Sequence, residues 1–278
     1  MSALAQRVAT AIVLLAALSA AIFLLPSPLF ALVLLIALVV PAAFEWARLA
    51  GLAAGARVAY ALGVGAIALV LLRLPAAGFA GEWPAPLLVA ICGAATLFWI
   101  VVATPWVTAG WPLRPRALVA SIGALVLIAT WMALVTLHAR SPWTLLAAMG
   151  VVFVADTAAF FAGRRFGRRK LAPRVSPGKT WEGVFGALAG VAVYAAACAW
   201  WSVPPASHAL HVAAWVGVAL VLTAFGIVGD LFESWLKRAA GVKDSGDLLP
   251  GHGGMLDRVD ALLAAMPPAA LAASALLR

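Results

Sequence analysis

The chain is poor in charge, and poorest in acid. Only ten of its 278 residues are Asp or Glu, against 19 Lys or Arg, and charged residues make up 10% of the whole. Soluble domains carry about 25%, so an ordinary water-soluble fold is excluded. Cysteine is nearly absent too. Cys92 and Cys198 each lie inside an apolar run. They offer neither a disulfide framework nor metal-ligand spacing, and packing is their expected role. Few stretches alternate polar and apolar residues. That argues against a soluble β-rich protein and against an outer-membrane barrel, whose strands alternate over about 10 residues.

What fills the chain is long apolar runs, with 65% hydrophobic residues. Runs of about 18 or more apolar residues mean transmembrane helices. The pattern predicts an all-α polytopic membrane protein with about nine spans: 8–25, 28–47, 58–74, 84–104, 117–138, 143–163, 182–202, 209–229 and 259–277. Prolines punctuate the gaps, among them Pro26, Pro75, Pro105, Pro142 and Pro204. No long polar linker separates the spans, so one membrane domain over 1–278 is expected. Residues 1–140 form mainly N-terminal spans, and 141–278 carry the chemical motifs. ALSA at 17–20 resembles a signal-peptide cleavage site, but apolar character resumes at once after Pro28, so an uncleaved first helix is expected. No internal repeat is evident, which weakens an inverted-repeat transporter.

The +9 formal charge fits membrane topology and anionic lipid or phosphate better than nucleic acid. With the N-terminus in the cytoplasm, nine spans place 16 of the 19 basic residues on the cytoplasmic side, leaving Arg73, Arg140 and Arg278 outside. The two long polar segments, 164–181 and 230–258, then share the cytoplasmic face.

Six of the ten acids fall between 230 and 260: Asp230, Glu233, Asp244, Asp247, Asp257 and Asp260. If the eighth span continues as helix past Asp230, then Asp230, Glu233 or Ser234, and Lys237 recur at helical steps on one face. Asp257 and Asp260 share a face at the start of the ninth span, where helix capping is the simpler role. Carboxylates are hard ligands suited to Mg²⁺, which often binds one or two of them plus substrate phosphates. Lys237, Arg238, Lys243 and Arg258 are then free for phosphate oxygens. Gly251, Gly253 and Gly254 around His252 let backbone N–H groups approach an anion. This is equipment for phosphoryl or nucleotidyl transfer. Glu233 and Asp247 are expected at the surface or behind the site. The competing reading is a positive-inside loop laced with salt bridges.

Upstream, residues 156–183 read DTAAFFAGRRFGRRKLAPRVSPGKTWEG. The GKT is not a P-loop. That motif needs Gly five positions before Gly178, where Pro173 stands, and it needs a preceding strand, which is not expected here. The basic cluster either sets topology or binds anionic lipid or nucleotide. Asp156, late in an apolar span, is costly there and marks function. Trp181 and Phe166 are expected as interfacial anchors.

Residues 234–260, SWLKRAAGVKDSGDLLPGHGGMLDRVD, resemble without a gap the signature of the phosphatidate cytidylyltransferases, or CDP-diacylglycerol synthases. The resemblance rests on Ser234, Lys237, Arg238, Lys243, Asp244, Gly246, Pro250, His252, Gly253, Gly254, Asp257, Arg258 and Asp260. DTAAFFAGRRFG and SPGKTWEG resemble the same family, with Phe160 and Phe161 where a Tyr is often expected. The resemblance implies that CTP and phosphatidate give CDP-diacylglycerol and pyrophosphate, with Mg²⁺ and a second, monovalent cation such as K⁺. It assigns catalytic roles to Asp230, Ser234, Lys237, Arg238, Lys243, Asp244, His252, Asp257, Arg258 and Asp260. Ser176, Lys179, Lys243, His252, Gly253 and Gly254 become candidates for holding nucleotide or lipid phosphates. Asp230, Asp257 and Asp260 become candidate metal ligands. A homodimer in the cytoplasmic membrane is implied in the same way. A CTP-dependent transferase for another lipid phosphate, such as an ether-linked one, would use the same motif. A transporter predicts charge spread through many spans, contrary to the pattern, and a scaffold leaves the His-Gly-Gly and paired aspartates unexplained.

Overall fold

In the computed structural model, the described residues are 3–74, 83–111, 115–202, 208–246 and 253–276. They form helical columns joined by short connections. In order these are α1 (Ala3–Leu24), α2 (Ser27–Leu34) continuing through a wide turn into α3 (Val40–Leu49), α4 (Ala54–Leu72), and α5 (Ala85–Leu97) continuing into α6 (Thr104–Ala109). Then come α7 (Arg116–Arg140), α8 (Pro142–Phe166), α9 (Trp181–Ser202), α10 (His208–Ala239) and α11 (Leu256–Leu276). Seven columns among the described residues are long and apolar enough to cross a membrane. The protein is an integral membrane protein, and the all-α expectation holds. The apolar part described for α1 is shorter, Leu15–Leu24, and α11 opens on charged residues.

Prolines explain the irregular columns. Leu35–Val39 and Phe98–Ala103 are π-helical turns, just ahead of Pro41 and Pro105. A proline ring crowds the carbonyl of the preceding turn, and a wider turn relieves it. In α11, Pro267 cannot donate to the Leu263 carbonyl. Two side chains take its place: Trp99 Nε1–H donates at 3.1 Å and Thr130 Oγ1 at 3.2 Å. In an apolar setting such a freed carbonyl must find a partner. Both donors come from neighbouring columns, so the proline that weakens α11 also ties it into the bundle. Trp46 and Trp131 donate in the same way to the carbonyls of Val119 and Ala31.

The polar stretch after α8 departs from expectation. It is an antiparallel hairpin of β1 (Lys170–Ala172) and β2 (Ser176–Thr180). A short strand therefore does precede the GKT, correcting one of the two reasons given against a P-loop. The other stands. Gly178, Lys179 and Thr180 are extended within β2 and do not wrap a phosphate-cradling turn. Glu182 holds the hairpin against the end of α8, accepting from the backbone N–H of Arg168 at 3.0 Å and of Arg169 at 3.2 Å. Thr180 caps α9 by accepting from Gly183 N–H at 3.2 Å.

Small residues set the helix spacing around the site. Gly183, Gly186 and Gly190 of α9 lie directly on the Ala158, Ala159 and Ala162 turns of α8. Gly229 of α10 lies on α11, where an added methyl would stand 2.6 Å from the Asp260 carbonyl oxygen and 2.8 Å from Ala264 Cβ. Such small-on-small packing lets apolar helices approach closely in a membrane. It predicts that Gly229→Ala lowers stability by about 1–3 kcal/mol through overpacking. Gly217→Ala, with nothing within 4 Å of the new methyl, should leave it unchanged. Thermal unfolding of both variants in detergent checks this.

Candidate active site

The charged residues sort into two neighbouring clusters, stacked along one face of α10 at Asp230 and at Glu233 and Lys237. The first faces a cavity of about 450 Å³ among α8, β2, α9, α10 and the start of α11. Asp156 enters from α8, Lys179 from β2 and Asp230 from α10, and the Lys179 ammonium sits against the Asp230 carboxylate. Asp156 is within electrostatic range of both, and Asp260 is within range of Asp230 and Glu233. The close approach of Gly229 to the Asp260 backbone brings these two acids together. Away from this charged end the walls are apolar, with Val152, Val184, Ala187, Leu222 and Ile227 among them. The cavity is therefore amphiphilic, lined by Lys179, Arg164, Asp156 and Asp230 among apolar side chains.

The second cluster is built on the start of α11. A helix leaves its first N–H groups without intrahelical partners, and here side chains satisfy four in succession. Gly254 N–H donates to Asp257 Oδ2 at 2.8 Å. Met255 and Leu256 N–H donate to the two carboxylate oxygens of Glu45, each at 2.9 Å. Asp257 N–H donates to Ser245 Oγ at 3.3 Å. Negative charge at a helix N-terminus is also favoured by the helix dipole.

Asp257 joins this cap to α10. Its Oδ1 accepts from Lys237 Nζ at 2.6 Å and its Oδ2 accepts from Ser245 N–H at 2.9 Å. Lys237 Nζ also contacts Glu233 Oε2 at 2.5 Å. Asp257 lies in the polar entry to α11, ahead of its apolar stretch. Burial opposes its ionisation. The Lys237 ammonium and the N–H groups of Gly254 and Ser245 outweigh that and hold the carboxyl down at about 2. Glu233, expected at the surface or behind the site, is only 2% exposed. Its charge is matched by Lys237, one helical turn on.

The other expected residues spread along this face. Ser234 is half-buried on α10, and Arg238, Lys243, Asp244 and Arg258 are exposed at its rim. Arg238 donates to the Val242 carbonyl at 3.3 Å. Ser176 is half-buried at the start of β2, remote in sequence from Lys179 by only the strand itself. Gly253 takes a left-handed conformation, φ 77°, open to glycine at little cost. The N–H of Gly254 is committed to Asp257. His252 and Asp247 lie outside the described residues.

Sequence reasoning passed over Glu45, Arg48 and Ser245. Arg48 donates to the backbone carbonyls of Asp244, at 3.0 Å, and of Ser245. A lone Glu in an apolar span was the available signal, the same signal that picked out Asp156.

Among the described residues no three His, Cys, Asp or Glu side chains form a ready metal cage. Mg²⁺ does not require one, since it is commonly held by one or two carboxylates plus waters and substrate phosphates. Asp230, with Asp260 and Asp156 in range, fits that pattern. Asp257 differs, because protein donors already occupy both of its oxygens.

The sequence matches the cytidylyltransferase family over residues 5–276. It is 44% identical to a phosphatidate cytidylyltransferase of Pseudomonas aeruginosa over 270 residues, covering 95% of this chain and 94% of that one. A phosphatidate cytidylyltransferase of Haemophilus influenzae is 47% identical over 117 residues, 42% of this chain and 41% of the other. One of Brucella suis is 49% identical over 129 residues, 44% of this chain and 43% of the other.

The geometry singles out Lys237. Its removal as Lys237→Met leaves Glu233 and Asp257 facing each other without a cation. Breaking a buried pair in this way costs about 3–5 kcal/mol. The exposed Lys243→Met should stay within about 0.5 kcal/mol of wild type. Thermal unfolding in detergent reads both, and equal behaviour of the two would contradict the assignment.

Proposed function

Because the chain belongs to the cytidylyltransferase family, we propose that it is a phosphatidate cytidylyltransferase, transferring a cytidylyl group from CTP to phosphatidate. The observation that carries this reading is the amphiphilic cavity: Lys179, Arg164, Asp156 and Asp230 in its lining, Asp260 within electrostatic range behind it, and otherwise mostly apolar walls. A lipid phosphate needs both kinds of lining at once. An aqueous nucleotide needs only the charged groups.

In the reaction, a phosphate oxygen of phosphatidate attacks the α-phosphorus of CTP. The new P–O–P linkage forms as the bond from the α-phosphorus to the β-phosphate bridge breaks, and pyrophosphate leaves. Catalysis of this kind depends on positioning and on offsetting charge. Lys179 is placed to meet a phosphate at the cavity's charged end, where it now pairs with Asp230. Ser176, Ser234, Arg238, Lys243 and Arg258 are assigned as further phosphate donors, and His252, Gly253 and Gly254 are assigned with them by the resemblance. Lys237 and Asp257 hold the loop that presents them, with Asp244 at its exposed edge. The reaction class implies a divalent metal. We assign it as Mg²⁺, held by Asp230 and Asp260, with a monovalent cation such as K⁺ as companion by resemblance. When bound, Mg²⁺ draws charge from the phosphate oxygens and offsets the acids. This narrows the expected ligand set, in which Asp257 stood beside them.

The same reading places the enzyme in the cytoplasmic membrane as a single domain with its N-terminus and active site on the cytoplasmic side, and as a homodimer. The grouping of Lys and Arg supports the orientation. Residues 141–278 carry the reacting groups.

Purified in detergent with CTP, phosphatidate and Mg²⁺, the protein should release pyrophosphate and form CDP-diacylglycerol. EDTA should abolish turnover and excess Mg²⁺ restore it. Asp230→Asn should lower kcat by about 10²-fold or more, the scale of losing one electrostatic element of a site. Turnover of an ether-linked lipid phosphate alone would change the substrate and keep the mechanism. Folded protein that turns over no lipid phosphate would overturn the reading.

A further inference from the structure

We propose that Glu45, in the second apolar column, is a positioning residue for cytidylyl transfer, setting the Asp257 carboxylate and the glycine loop from the far half of the chain. The inference rests on the cytidylyl-transfer reading above. Glu45 is 5% exposed, and a buried carboxylate is retained only where its oxygens are matched. Both are. Oε1 accepts from Met255 N–H, and Oε2 accepts from Leu256 N–H and Ser245 Oγ, all at 2.9 Å.

Ser245 is the link onward. Its hydroxyl stands 2.9 Å from Glu45 Oε2 and 3.0 Å from Asp257 Oδ2, so its single proton lies within reach of either carboxylate. Arg48, one turn further along the same helix as Glu45, grips the carbonyls of Asp244 and Ser245. Glycine completes the fit. A methyl group at Gly246 or Gly254 would collide with the Glu45 carboxylate, so the loop closes onto Glu45 because those residues lack side chains. Glu45 does not line the cavity beside Lys179 and Asp230. It reaches Asp257 through Ser245 and the backbone at the start of α11.

The arrangement makes Glu45→Gln a sharp test. Each Glu45 oxygen faces a backbone N–H. A glutamine amide has one oxygen and one NH₂, so either orientation sets a donor against a donor. The side chain keeps its shape and the cap loses one partner.

Hydrogen–deuterium exchange in detergent reads the positioning without turnover. In Glu45→Gln, peptides spanning 244–257 should exchange about tenfold faster or more, because their bonded amides open locally, with α7 peptides unchanged. On the monodisperse, folded fraction, kcat should fall about 10- to 100-fold, the scale of an ångström-level misplacement. KM for phosphatidate should stay within about threefold, because the cavity walls are untouched. A purely structural role would lower the yield of folded protein and leave its kcat intact. Ser245→Ala removes the hydroxyl between the carboxylates, together with its acceptance from Asp257 N–H, and applies the same test if Glu45→Gln does not fold. In the double variant the losses should be less than multiplicative, because both act on one unit. Unchanged exchange, unchanged kcat or fully multiplicative losses would overturn the proposal. A wild type without turnover would instead overturn the cytidylyl-transfer reading, and the exchange comparison would still decide the role of Glu45.

Discussion

The first turn of α11 is the constraint on which the site depends. Four successive backbone N–H groups emerge there, beside an apolar bundle that offers them no water. Asp257, Glu45 and Ser245 satisfy all four. Two carboxylates concentrated at one helix end would repel each other and resist burial. They persist because the helix N-terminus is positive, because each oxygen has a donor, and because Lys237 supplies a matched cation. The same contacts fix where α11 begins, how the 243–246 turn lies on it, and how α10 is registered against α11. Stability and site geometry are thus one problem solved once. A change made to loosen the loop also exposes buried charge.

The cavity cluster uses the frame that the start of α11 provides. Gly229 lets α10 and α11 touch at Asp260, bringing Asp230 and Asp260 into one field, and the α8–α9 glycine contacts bring Asp156 and Lys179 to meet it. Lys179 pairs with Asp230 at the cavity's polar end. On the proposed reading, phosphate oxygens would compete for that lysine and a divalent cation for that aspartate. The apolar walls beyond give acyl chains a route that stays out of water.

Much of this was legible in the sequence. The long apolar runs gave the columns, and the clustering of six acids with glycines in an acid-poor chain marked the 230–260 stretch. Asp156 stood out because charge is costly inside a span. Glu45 carried the same signal and was passed over, since its partners lie some 200 positions away and only the fold brings α3 to α11. The division of labour between Asp230 and Asp257 was also hidden. Spacing places both at helix ends facing one site, but only packing shows that Lys237 and two backbone N–H donors already occupy Asp257. The hairpin at 170–180 was masked by its short strands, which carry Pro177, Gly178 and charged residues in place of an alternating apolar pattern. Its order comes from Glu182 and Thr180, which are tertiary and capping contacts.

On the proposed reading, the lipid phosphate is received in the cavity among α8, α9 and α10, with its chains along the apolar wall. A phosphatidate carrying a photoactivatable diazirine near the glycerol end of one chain tests this most directly. After illumination in bilayers, labelled peptides are mapped by mass spectrometry. The account predicts labelling centred on the turns bearing Val152, Ala187 and Leu222, suppressed by excess unlabelled phosphatidate. Labelling on the exposed face of α4 around Leu62 and Leu69, insensitive to that competitor, would contradict it.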